Sequence, residues 1–501
     1  MISTSGVWIC SARLGEISAQ KGATTATGST GGFWIGLWSP DGSPVVSLGR
    51  TGGWRLWQRS ETQGRWSQKI AVSGHVREVK GVAWSPDGAY LLSTSSDQTT
   101  RLWAEWRRGH QRSWHEFSRP QIHGYDLNCI DSIGVSQFIS GADEKLLRVF
   151  DEPGAVAALL DRLCGIRNPS PQTLPDAANI PVLGLSNKAI RAVDDAPTGD
   201  EADGEREAPD PASVIHKATL DLDHPPFEDH LARHMLWPES EKLYGHGYEI
   251  SAVAASHDKS VVATACRASS IDHAVIRIYE TKEWREIKPP LTAHSLTVTS
   301  LKFSDDDRYL LSVGRDRQWA VFERAEGQLG VYKSLTSNPK GHTRMILDGS
   351  WAPSKAGRIF ATAGRDKSVK VWQLAGTEAS CKTTLSAASP VTAVAFHTSI
   401  VDERLMLAYG TEEGVVTICL LATGDLAVAE TTTVDRRLLP SKTINQVAWR
   451  PTEQATTAAS NGNVDSHEAP NHVYQLAIAS DDNSVRVISL GPNSRSTEVK
   501  A

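Results

Sequence analysis

Along most of the chain, apolar and polar residues alternate with a period of two in short runs punctuated by turn residues, which is the pattern of half-buried β-strands. The clearest unit spans 74–103, GHVREVKGVAWSPDGAYLLSTSSDQTTRLW. Strand-like runs at 79–84, 90–93 and 99–103 flank Pro86-Asp87-Gly88. Pro fixes φ, Asp bonds its own backbone and Gly accepts positive φ, so this tripeptide predicts a β-turn. So small a sheet cannot bury both of its own faces, and the unit predicts copies of itself.

The copies are present. WSPDG at 38–42 opens a unit with strand runs at 33–38, 45–48 and 53–57. Another begins at His123, with runs at 128–132, 136–140 and 147–150. Beyond a break, the pattern resumes at His246, His294 and His342, and two degenerate copies follow at 391–421 and 444–490. The intervals His75 to His123, His246 to His294 and His294 to His342 are each 48 residues. That lies just above the ~40–45 residues of a WD40 repeat, which forms a four-stranded propeller blade.

The expected fold is therefore all-β: WD40 β-propellers, a partial first propeller followed by a second of the seven-bladed type. Residues 1–152 are expected to hold the last blades of the incomplete first propeller. Residues 153–179 should form a connector with a short helix at 155–163, and 180–501 the second propeller, with 180–193 reading as a pair of strands. Within the latter, 194–213 carries eight acidic residues against one Arg, with three prolines. It has nothing apolar to bury, so it is expected to be a disordered insert. A second insert, polar in character, is expected at 453–471.

Composition narrows the function classes. The net charge of −6 gives no global basic field for nucleic acid. No apolar run approaches the ~20 residues of a membrane span, and the first residues lack the basic and apolar regions of a signal peptide. The six cysteines are scattered without a CxxC pair, which argues against a zinc ribbon or a disulfide framework and fits a reducing compartment. Cys266 and Cys419, inside apolar runs, read as small buried hydrophobes.

His75, Ser95, Asp97 and Trp103 contain the residue types of a Ser-His-Asp triad. His342, Thr362, Asp366 and Trp372 repeat the set, and His294, Ser312 and Asp316 nearly do. Catalytic sets do not recur at fixed spacing within one chain. The structural reading is a buried histidine bridging a hydroxyl and a Trp indole, with the Asp holding a tight turn. His123, Asp143 and His246 are expected to join the same blade network. No enzyme activity, cofactor or metal is expected. His224, His230 and His234 lack a HExxH glutamate and read as a packed connector rather than a metal site. Arg315, Arg317, Arg365 and Lys367 flank the turn aspartates of neighbouring repeats and form a candidate basic rim, against the plainer reading as a solvated face. The alternative function drawn from that rim is an RNA- or tRNA-binding propeller module.

More specific wording lies between the repeats. SSDQTTRLW (95–103), Trp114-His115-Glu116, RPQIHGYD (119–126), SGADEKLLRVFDEP (140–153), LGLSNKA (183–189) and PPFEDHLARHMLWPESEKLYGHGYEI (225–250) together resemble the Elongator complex protein 2 family of WD-repeat subunits. The resemblance implies two seven-bladed propellers and a non-catalytic scaffold joining the largest Elongator subunit to the catalytic acetyltransferase subunit. It also implies a part in tRNA wobble-uridine modification, an association with transcription elongation, and a place in cytoplasm and nucleus. Against that pattern the chain starts within a blade, at Gly6-Val7-Trp8, so the earlier blades of the first propeller are expected to be lacking.

Overall fold

The computed structural model describes residues 12, 14, 33–49, 53–60, 64–168, 174–175, 177–179, 187–190, 192–193, 215–216, 221–451 and 473–491. The chain divides into two compact units, each built from three separate stretches. One takes 1–74, 104–120 and 152–238; the other takes 75–103, 121–151 and 239–501.

In the first unit, β1 (Phe33–Trp38), β2 (Pro44–Gly49), β3 (Trp54–Arg59) and β4 (Trp66–Lys69) form a four-stranded meander. Ser39-Pro40-Asp41-Gly42 turns β1 into β2, with Gly42 at φ +72°. Burial alternates along β2 and the start of β3, as a period of two requires. The helix α1 (Gly154–Cys164) buries Val156, Leu159, Leu160 and Leu163, and it ends on Gly165 in the left-handed conformation. Short strands at Ala177–Asn179 and Lys188–Ile190 pair antiparallel, so the expected strand pair starts earlier than 180. The acidic segment 194–213 and the polar insert 453–471 lie outside the described residues.

The second unit is a ring of seven antiparallel sheets. Blade 1 contains β5 (Val79–Trp84), β6 (Tyr90–Ser95), β7 (Thr99–Arg108) and β8 (Gln111–Ile122) in sequential order, of which the stretch 104–120 is counted with the first unit. Blade 2 takes β9 (Leu127–Ser132), β10 (Gln137–Ala142) and β11 (Leu147–Asp151), and completes itself with the distant strand Glu239–Leu243, paired Leu147 to Leu243. Blades 3, 4, 5 and 6 follow as consecutive four-stranded meanders within 250–292, 298–338, 346–386 and 391–433; blade 7, within 444–490, has three strands among the described residues. The first strand of each blade touches the first strands of both neighbours, and that of blade 7 returns to β5. The ring is closed.

This corrects the expected division of the chain. The stretches 75–103 and 121–151 group with 239–501, not with a separate propeller ending at 152. Regular spacing identifies blades but carries no information on which ring a blade joins. Closure does, because an unclosed ring would leave the apolar faces of β5 and of blade 7 bare.

Repeated hydrogen bonds tie the inner strands together. Asn128 Nδ2 donates to Ile250 O at 3.1 Å, Ser251 Oγ to Val298 O at 2.9 Å and Thr299 Oγ1 to Ile346 O at 2.8 Å. Thr392 Oγ1 donates to Ile444 O at 2.6 Å, and Asn445 Nδ2 closes the circle on Val79 O at 2.8 Å. In each case the second residue of an inner strand reaches the first carbonyl of the next blade. Trp84, Trp351 and Trp449 also donate their indole N–H to a carbonyl of the preceding blade, each at 3.0 Å. Between blades 5 and 6 the core sets Ile359, Val369 and Val371 against Val391, Leu405 and Leu407, with Phe396, Tyr409 and Cys419 buried among them.

Candidate functional site

The recurrent polar residues lie at one end of blades 1 to 5. In blade 5, His342 Nδ1 faces both Asp366 oxygens at 3.0 and 3.1 Å, and Nε2 meets Thr362 Oγ1 at 2.8 Å. Trp372 Nε1 donates to the same hydroxyl at 2.9 Å. With Nδ1–H donated to the carboxylate, the hydroxyl gives its proton to Nε2 and accepts the indole N–H. Every polar atom of the set is then engaged, and Thr362 is fully buried. No hydroxyl is presented to a substrate. The arrangement fastens the entry loop, the second strand, the third strand and the turn between them.

Blade 1 repeats this with one correction. His75 Nδ1 lies 2.8 Å from Asp97 and Nε2 lies 2.7 Å from Ser93, and Trp103 Nε1 donates to Ser93 at 2.8 Å. The hydroxyl is Ser93, not Ser95. Ser95 instead donates to Arg77 O at 3.1 Å and accepts from Asp97 N at 3.0 Å. Burial alone would raise the Asp97 pKa, but the His75 charge and hydrogen bond, Arg101 and Thr99 outweigh it. The carboxyl is held well below the usual range. In blade 4, His294 pairs with Asp316 at 3.1 Å and with Ser312 at 2.8 Å. Phe322 stands where blade 5 has Trp372, so Ser312 turns to Ala320 O at 3.4 Å.

Blade 2 differs again. His123 Nε2 meets Glu144 at 2.8 Å, and Glu144 also binds Arg148 Nε at 2.8 Å. Asp143 is not His123's partner: it accepts from Asn128 at 2.8 Å and pairs with Arg267 at 2.9 Å. Burial would raise Glu144, but hydrogen bonds from His123 and Arg148 hold it at about 2. In blade 3, His246 Nε2 meets Thr264 at 2.8 Å, and among the described residues no acid reaches its buried Nδ1. Burial, and then the Arg277 charge, lower its pKa to about 3.

The turn aspartates also shape the exposed rim. Gln98, Arg317, Lys367 and Asn483 each directly follow a turn aspartate (Asp97, Asp316, Asp366 and Asp482) and take positive φ, at 69°, 71°, 64° and 70°. Such φ values are uncommon outside glycine and asparagine. They project Arg317 and Lys367 outwards from neighbouring blades, with Arg315 and Arg365 exposed beside them. His224 stacks on Phe227 at 4.2 Å, and His230 lies 6.4 Å from His234 beside a single helical turn, Glu228–Leu231.

A buried ionic cluster went unnoticed in the sequence. Arg119, fully buried, binds Glu116 at 3.0 Å and both oxygens of Glu228 at 2.8 and 2.9 Å. Ser73 donates to Glu116 at 2.5 Å, and Arg55 grips Asp229 at 2.7 Å. Asn187 reaches the carbonyls of Pro120 and Trp237 at 2.8 and 2.7 Å. The motifs around 114–120, 183–189 and 225–237 thus converge inside the first unit. The signal was present in their unusual wording between repeats, but their pairing required the fold.

Comparison with known proteins agrees with the architecture. The WD domain, G-beta repeat, matches residues 66–104, 286–323 and 333–373. Elongator complex protein 2 of Schizosaccharomyces pombe is 45% identical over 493 residues, covering 97% of this chain and 60% of the relative. Its Saccharomyces cerevisiae counterpart is 42% identical over 498 residues with the same coverage, and the human one 36% over 448 residues, covering 83% and 52%. The chain thus spans 60% or less of the length of these relatives. Among the described residues, no helix is long and apolar enough to cross a membrane.

Proposed function

Because the chain is a WD40-repeat homologue of Elongator complex protein 2, we propose that it is a non-catalytic scaffold subunit of an Elongator assembly. In this reading it joins the largest subunit to the catalytic acetyltransferase subunit, supports tRNA wobble-uridine modification, and works in cytoplasm and nucleus. The observation that carries the non-catalytic part is the closed bonding of the repeated His–hydroxyl–Asp sets. Each hydroxyl is buried and bonded to its histidine, in a place where it holds strands together. A rigid ring with a broad loop-bearing face suits a scaffold, since fixed loops on packed blades present partners with a preformed surface. Affinity purification of the tagged chain from cells should recover both subunits. Recovery of neither, with the chain folded and abundant, would defeat the reading.

A further inference from the structure

β7 and β8 are the long strands of blade 1, with ten and twelve residues against six in β5 and β6. Their far ends, 104–108 and 111–116, form a hairpin closed by Gly109-His110, with Gly109 at φ +59°. Arg107, Arg108, His110 and Arg112 are all exposed there, and Glu105 is the only acid between 104 and 115. The chain as a whole carries a net charge of −6, so this concentration of positive charge is local.

Strand alternation sorts the hairpin into two faces. On one, Trp106, Arg108, Ser113 and His115 are interlocked. The Arg108 guanidinium carbon lies 4.0 Å from the centre of the Trp106 ring, and Nη2 donates to Ser113 Oγ at 2.8 Å. Ser113 Oγ in turn lies 2.8 Å from His115 Nε2, and the His115 ring stands edge-on to Trp106 with centroids 5.6 Å apart. Burial and then the Arg108 charge lower the His115 pKa, so the neutral Nε2 accepts the hydroxyl proton. Trp106 and His115 are half-buried, whereas Arg108 is exposed. Its guanidinium has one side against the indole and one edge tied to Ser113, and its other side is open to solvent. On the opposite face of the hairpin, a Cβ on Gly165 would lie 2.9 Å from Arg107 Nη1. Arg107 thus rests on the C-terminal end of α1, where the helix dipole favours a cation. Arg112 makes only a 3.6 Å contact with Glu105, and its side chain is 63% exposed.

We propose that this hairpin binds single-stranded nucleic acid, with an unpaired base stacked on the open side of Arg108 and a neighbouring phosphate held by Arg112. The inference does not depend on the scaffold reading. A guanidinium lying flat on an indole offers its other side to a further planar group, and every base has a π face to place there. Trp106 and Ser113 hold Arg108 in one position, so little side-chain freedom is left to lose on binding. An acidic peptide fits less well. A carboxylate takes the guanidinium N–H groups in the plane of the fork, and Ser113 already occupies one of those edges. A duplex also fits less well, because its bases are stacked on one another and present no free face.

The test uses the full chain and a fluorescein-labelled adenylate hexamer, as RNA and as DNA, read by anisotropy at several salt concentrations. Saturable, salt-sensitive binding is expected. Arg108→Ala should weaken it by about tenfold with an unchanged melting temperature. Arg108→Lys should not rescue it, since an ammonium has no flat side to stack, whereas Arg112→Lys should keep most of the affinity. Binding of RNA or DNA alone names the ligand, and equal binding names any single strand; each of these outcomes supports the site. No saturable binding, or an Arg108→Lys chain that binds like the parent, overturns the proposal. So does inorganic polyphosphate of the same charge that competes as well as the hexamer, because charge without bases would then suffice. Binding lost on Arg315→Ala with Arg365→Ala and unmoved by Arg108→Ala also overturns it, by placing the strand elsewhere.

Discussion

At the scale of single residues, the hydroxyl of each blade set serves two partners or one, and the difference is measurable. Thr362→Val should strand both His342 Nε2 and Trp372 Nε1 and cost about 2–6 kcal/mol in urea unfolding, at roughly 1–3 kcal/mol for each buried group left unsatisfied. Ser312→Ala, in the blade without the indole, should cost about half as much; equal losses would mean that the indole bond contributes nothing. The triad-like composition was legible in the sequence, but the right hydroxyl was not. Ser93 and Ser95 lie two apart on one strand and face the same side. Alignment of the copies resolves this, since Ser93, Ser312 and Thr362 each stand four residues before their Asp. The same count places Glu144, not Asp143, four residues after Ser140. His246 adds a pH dependence. Its folded pKa is depressed to about 3, so the unfolded state binds the proton more readily. Its contribution should be complete above about pH 6.5 and decline as pH falls toward 3. His246→Asn should flatten the stability profile in that window relative to the parent chain.

At the scale of strands and turns, the blade joints depend on close approach. A Cβ on Gly410 would lie 2.6 Å from Ile444 Cγ2 and 2.9 Å from its Cβ, where blade 6 meets blade 7. Gly410→Ala should therefore cost about 1–3 kcal/mol, although alanine normally suits a strand no worse than glycine. Trp449→Phe at the same joint keeps most of the ring's bulk but loses the indole bond to Ala395 O, and should cost about 1 kcal/mol. An unchanged denaturation midpoint in both variants would show that this joint does not limit stability. The strands themselves were readable from alternation and turn chemistry, because each depends on local sequence. The latches were not. A Thr or Asn at the second position of an inner strand looks like ordinary β-sequence until the neighbouring carbonyl is in place.

At the scale of the whole molecule, ring membership is the property that no local pattern encodes. Blades 1 and 2 sit ahead of a long break in the repeats, and proximity along the chain suggested a separate propeller. The geometry places them between blades 7 and 3, joined by bonds such as Val82 N to Gln446 at 2.9 Å and Arg450 to Gly88 O at 2.6 Å. A fragment covering 180–501 should therefore lack two of seven blades and melt broadly, with dye-binding apolar surface exposed. A fragment in which 75–151 is joined to 239–501 through the native intervening chain should melt in one transition. Calorimetry of the two, with the reverse ranking, would refute the ring assignment.

Blade 2 waits for its outer strand. Its third strand ends at Asp151 and its fourth begins at Glu239, so everything from 152 to 238 must leave the ribosome before that sheet is whole. The chain passes back and forth between the units five times. Neither unit is a contiguous module that a single recombination event could copy, delete or transplant, and one proteolytic nick in the segment between β11 and Glu239 would leave each half of the chain carrying parts of both. The pair must be inherited, synthesised and lost together.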